Sequence, residues 1–186
     1  MSVTIAHRRF TVDDYYRMAE AGILRPEDRV ELIEGEIVEM TPIGRGHAAR
    51  VDRLNNLYCV KLAGRAIVRV QNPVRLNRNT EPQPDIAVLR SKPDYYASGH
   101  PGPEDVLLII EVADSSLDYD RDVKIPEYAR SGIREVWLVN LAAGIVEVYR
   151  NPGPSGFGDI RTFGRGMTVA AEAFPDVIIN VDEILG

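Results

Sequence analysis

Apolar positions along the chain recur at two spacings, and the switches between them divide it into elements. Thr11 followed by Asp14 is an N-cap with a capping-box partner, and Gly22 supplies a stop, so residues 12–21 are expected to form a short helix. The stretch VELIEGEIVEM reads as a hairpin turning at Gly35. After breaks at Pro42, Gly44 and Gly46, the residues Val51, Leu54, Tyr58 and Leu62 step by three or four. They predict one buried stripe on a second helix that ends at Gly64.

Residues 66–76 alternate as a strand, Pro82 and Pro84 punctuate the loop after it, and Asp85 to Leu89 form the next strand. The run VLLIIEVA at 106–113 is apolar on both faces, as a central strand covered on both sides requires. A helix is expected from there to about Ser131, with Gly132 as its cap, followed by a hairpin of EVWLVN and IVEVY turning at Ala143-Gly144. NPGPSGFG at 151–158 reads as a loop, and 159–186 as short strands or a terminal helix. This order implies an α/β fold of the α+β kind: a mixed central sheet flanked by helices, with an N-terminal helix and hairpin. At 186 residues without repeats or a low-complexity linker, the chain is read as one domain, 1–186.

Composition narrows the chemistry. Hydrophobic residues make up 45% and charged residues 27%, an ordinary globular balance. No apolar run approaches the roughly 18 residues of a membrane span. The start, MSVTIAHRRF, places its basic residues after a short apolar patch, unlike a secretory signal, and a cytoplasmic location is expected. One cysteine, Cys59, and three histidines, His7, His47 and His100, cannot build a Cys-rich zinc cage, so oxygen ligands are expected for any metal. The net charge of −6 hides an asymmetry: residues 41–92 hold 10 basic and 3 acidic groups, between acidic flanks. A basic segment of that kind permits a polyanionic partner, although arginines on solvated faces are common.

Three residues invite a chemical reading. A carboxylate inside a strand covered on both faces, Glu111, is costly unless it is paired or binds a cation. The structural alternative is an ion pair with an arginine such as Arg121. Asp85 opens the neighbouring strand behind Pro84, so the two carboxylates are expected at adjacent strand ends, where a divalent cation relieves their repulsion. Lys124, just ahead of Pro126, is expected at the start of the following helix, with a stem long enough to reach back to the acids. Asp114, Asp118, Asp120 and Asp122 lack the glycine and terminal glutamate of an EF-hand loop and are read as loop and helix-start acids.

With these residues the sequence resembles the PD-(D/E)xK nuclease superfamily, and within it the Uma-type restriction endonuclease family. The matching stretches are VELIEGEIVEM, QPDIAVL, LIIEVADSSLDYDRDVK and EYARSGIREVWLV, which together cover about residues 10–150. The superfamily's lysine, two residues after the glutamate, is here Ala113; in the Uma-type pattern it is displaced onto the next helix, matching Lys124. The resemblance implies an Mg²⁺-dependent endonuclease, with Mn²⁺ as a substitute ion, acting on DNA. Asp85 and Glu111 would hold the metal and Lys124 would assist the attacking water. It also places a histidine and a glutamate at His47 and Glu36, as further members of the site. The alternatives are a degenerate nuclease fold that binds nucleic acid without cleaving, and a hydrolase for another phosphate ester. Strand residues Val136, Leu138 and Val139, if exposed, would support a homodimer.

Overall fold

The computed structural model describes residues 7–186. Helix α1, Val12–Glu20, begins where Thr11 and Asp14 close the capping box. Strands β1, Val30–Ile33, and β2, Glu36–Glu39, form a hairpin whose two turn residues, Glu34 and Gly35, both have positive φ, 49° and 77°. Such a turn matches the natural twist of two short strands. Helix α2, Arg45–Lys61, buries Val51, Leu54 and Tyr58, and Leu62 at its C-cap is buried beside them.

The main sheet has six strands in the order β3-β4-β5-β6-β7-β8. They are β3 Ala66–Val70, β4 Ile86–Arg90, β5 Val106–Ala113, β6 Glu135–Asn140, β7 Ile145–Gly153 and β8 Gly156–Gly164. Only β5 and β6 run parallel, so the sheet is mixed. The crossover between them consists of α3, Leu117–Tyr119, a π-helical turn over Asp120–Lys124, and α4, Ile125–Arg130. Two short strands, β9 Thr168–Val169 and β10 Ile179–Asn180, lead into α5, Val181–Leu185.

Alternation along β5 divides the core. Leu108, Ile110 and Val112 pack with α2, α5 and the aromatic ring of Trp137. Ile109 and Ala113 pack on the opposite face with Ile125, Tyr128 and Ile133 from the crossover. Both faces of the strand are therefore covered, as its continuous apolar run demands.

The structure corrects several expectations. The strand expected over 66–76 stops at Val70, because Gln71 takes a positive φ of 50° and turns the chain away. NPGPSGFG is the tip of the β7–β8 hairpin, with Pro152 opposite Phe157. Pro152 is tolerated because the β6 ladder ends at Arg150, leaving no neighbour on that side for its missing N–H. Val136, Leu138 and Val139 are fully buried, so they offer no dimer surface. Among the described residues no helix is long and apolar enough to cross a membrane.

Candidate active site

Strands β4 and β5 are antiparallel with Ile86 opposite Ile110, so the residue before β4 and the residue after Ile110 meet at one rim of the sheet. These are Asp85 and Glu111, and each braces the other's strand. The Asp85 N–H donates to Glu111 Oε2 at 3.2 Å, and the Val112 N–H donates to Asp85 Oδ2 at 2.9 Å. Both side chains line a cleft of about 350 Å³ together with Glu31, His47, Asp120 and Lys124.

Lys124 reaches this rim from the π turn. Its Nζ lies 3.4 Å from Glu111 Oε1 and 3.2 Å from Glu31 Oε2. A π turn inserts one residue into the helical ladder and redirects the residues after it. Here it brings both Asp120 and Lys124 to the buried side. Tyr128, one turn further on, donates its hydroxyl to Glu111 Oε1 at 2.6 Å. Arg121, the alternative partner for Glu111, is occupied elsewhere by Glu147 at 2.5 Å.

His47, in the first turn of α2, lies with Nε2 2.9 Å from Asp85 Oδ2. Its Nδ1 is buried with no hydrogen-bond partner. The hydrogen bond to Asp85 lifts the His47 imidazole above its ordinary value. Burial pushes Asp85 up, but the His47, Val112 and Gln71 contacts outweigh it and hold the carboxyl below the usual range. Burial lifts Glu111 to about 8 against the pull of the Lys124 ammonium. Burial works against the charge on Lys124, yet Glu111 and Glu31 on either side raise it above the ordinary lysine value. Burial likewise raises Asp120, whose Oδ2 accepts from Ser116 Oγ at 2.6 Å.

Asp85, Glu111, Lys124 and His47 therefore converge, and Glu36 does not. Glu36 is exposed on β2 and pairs with Arg9 at 2.6 Å. The hairpin contributes Glu31 instead, a residue sequence reasoning passed over. Gln71 and Tyr128 were passed over as well, and Asp120, read from the sequence as one of the loop and helix-start acids, lines the cleft. The one available signal for Glu31 was its place between the apolar residues Val30 and Leu32. The absent lysine at Ala113 also has a geometric counterpart. Residues two apart on a strand share a face, so Ala113 lies on the Glu111 side, the side covered by the helix that carries Lys124.

Over residues 12–182 the chain matches the Uma2 family, described as putative restriction endonuclease. Its fold is shared with a crystal structure of a putative nuclease belonging to DUF820 from Anabaena variabilis, with a TM-score of 0.72 and 16% identity. That likeness covers 95% of this chain and 97% of the other, and at such identity it speaks for the fold. No curated protein matches the chain.

Proposed function

The chain belongs to the Uma2 family of putative restriction endonucleases, and on that premise we propose that it is a divalent-metal-dependent endonuclease hydrolysing DNA phosphodiester bonds. The observation that carries the reading is the meeting of Asp85, Glu111 and Lys124 at one cleft, from three separate elements, with Lys124 Nζ 3.4 Å from Glu111 Oε1.

The donor set suits a hard cation. Asp85 Oδ1 and Glu111 Oε2 each accept a single hydrogen bond, from Gln71 and from the Asp85 N–H, and so keep acceptor capacity. Among the described residues no three His, Cys, Asp or Glu side chains are grouped to hold an ion by themselves. Mg²⁺ does not require that, since it takes one or two carboxylates and fills the rest of its shell with water and phosphate oxygens. Among the described residues, six carboxylates and two permanent cations line the cleft, Glu39 and Asp114 among the acids and Arg29 with Lys124 as the cations. A phosphate backbone is repelled by such a wall unless added positive charge offsets it.

Asp85 and Glu111 would hold the ion, which when bound supplies Lewis-acid polarisation of a phosphate oxygen and a more acidic water. The protein's own groups do the rest. His47, Gln71 and the Val112 N–H fix the Asp85 carboxylate, and Tyr128 fixes Glu111. Lys124, flanked by two glutamates, stays an ammonium at neutral pH. It therefore acts by charge and hydrogen-bond donation, orienting the attacking water and stabilising charge that builds on phosphorus. Arg45, Arg50 and Arg53 on α2 form no ion pair among the described residues and extend positive charge along the helix that carries His47. Arg65 and Arg75 are tied to Asp176 and Asp13.

The test is nicking of supercoiled plasmid with Mg²⁺, Mn²⁺ or chelator. Asp85→Asn, Glu111→Gln and Lys124→Met should each lower the rate by about a hundredfold or more, with circular dichroism showing the fold retained. Cleavage surviving in both acid variants would sink the proposal. Salt-sensitive DNA binding without cleavage under any divalent ion would replace it with a non-cleaving binding module.

A further inference from the structure

Glu31 is 2% exposed, on a strand of four residues that lies outside the main sheet. Its neighbours Val30, Leu32 and Ile33 are buried and apolar, so packing alone gives no reason for a charge there. Removing a carboxylate from water is costly unless pairing and hydrogen bonds offset it. The structure holds this carboxylate at three points. Oε2 accepts from the Gln83 N–H at 3.1 Å, Oε1 accepts from the Tyr119 hydroxyl at 3.3 Å, and Lys124 Nζ lies 3.2 Å from Oε2. The hairpin is in turn pinned to the chain leading into β4, through Glu81 N–H to Leu32 O and Gly35 N–H to Asn79 O, both 2.7 Å.

We propose that Glu31 is a positioning residue for Lys124, holding its ammonium in the cleft on the side opposite Glu111. A lysine has a flexible four-carbon stem and no planar fork, so a single partner leaves its end free to swing. Two carboxylates from different elements fix it. The second one matters most when Glu111 shares its charge with a bound cation, because Glu31 is then the carboxylate left to balance Lys124. This inference rests on the nuclease reading for its catalytic consequence, and its geometry stands independently.

A double-mutant cycle on metal-dependent plasmid nicking tests it, using Glu31→Gln and Lys124→Arg. In the wild-type background Glu31→Gln lowers kcat by about tenfold or more and leaves KM within about twofold. In the Lys124→Arg background the same change costs less than about twofold, because the ammonium it places is gone. Glu31→Asp, which keeps the charge on a shorter arm, recovers part of the rate. Equal losses in both backgrounds, or a loss carried by KM, would overturn the proposal and leave Glu31 as a staple for the hairpin.

A second readout needs no activity. In ¹⁵N-labelled protein the Lys124 ammonium, assigned by its absence in Lys124→Arg, gives a resonance protected from solvent exchange. Glu31→Gln removes that protection and Glu31→Asp retains it; a signal unchanged in Glu31→Gln overturns the proposal. If the wild type cleaves nothing with any divalent ion, the nuclease reading fails, and the ammonium signal still decides the role of Glu31.

Discussion

Replacing Glu111 with glutamine separates the cost of its charge from its shape. Burial lifts this carboxyl from 4.5 to about 8, although the Lys124 ammonium pulls the other way. A group that binds its proton more tightly folded than unfolded stabilises the fold at low pH. That contribution is lost as pH rises from the unfolded value toward the folded one, here from 4.5 to about 8. At about 1.4 kcal/mol per unit, the loss between pH 5 and pH 9 has a ceiling of roughly 4 kcal/mol. Glutamine keeps an acceptor for the Tyr128 hydroxyl but sets an amide donor against the Asp85 N–H. That clash costs about 1–3 kcal/mol, and because it does not depend on pH it cancels when two pH values are compared. In chelated buffer, the stability of Glu111→Gln relative to wild type should therefore rise by about 2 kcal/mol or more between pH 5 and pH 9. Urea unfolding at each pH measures it. A difference that stays constant across that range would refute the claim that Glu111 titrates inside the folded cleft.

Other perturbations probe different contacts. Tyr128→Phe removes the 2.6 Å hydrogen bond that holds Glu111 down, so the acid limb of the cleavage pH profile should move to higher pH, with about 1.5–3 kcal/mol lost in stability. Glu135→Ala leaves the Trp137 N–H and the Glu172 N–H without their acceptor and the Arg150 guanidinium without its carboxylate, with only the Ala170 carbonyl remaining to it. It should cost about 3–5 kcal/mol in a denaturant melt and leave cleavage per folded molecule unchanged at low temperature. Gly35→Ala forces a side chain onto a φ of 77°, with its Cβ 2.7 Å from Arg9 Cβ and 3.0 Å from the Phe10 backbone. Strain of about 2 kcal/mol or more is expected, and nicking should weaken because the hairpin carries Glu31.

Much of the framework was readable because local signals and burial agreed. The capping box at Thr11, the turn at Gly35, the stripe on α2 and the two-sided run of β5 each carry their own periodicity. The antiparallel meeting of Asp85 and Glu111 follows once β4 and β5 are adjacent. Other features depend on distant chain. Four glutamates lie on the hairpin segment, at 31, 34, 36 and 39, and only its docking against residues 79–81 decides that Glu31 turns inward and Glu36 outward. Val136 and Leu138 are buried under the crossover, and Trp137 and Val139 under α2 and the C-terminal residues, so the strand's own sequence does not reveal which covering it receives. The π turn at 120–124 has no signature in residue type, yet it sets where Lys124 points.

The displaced lysine divides the cleft between parts of unequal robustness. Glu111 lies within β5 and Asp85 directly precedes β4, two strands paired on both sides inside the sheet, where ladders are expected to open late. The ammonium belongs to a three-part helical crossover, a short α segment, a π turn and six further residues, which is held to the sheet by side-chain packing and not by a ladder. Mild denaturant should thus disarm the protein before it unfolds, with amide exchange quickening first along 117–130. A lysine carried at position 113 would have been locked to the sheet, and that early failure would not exist.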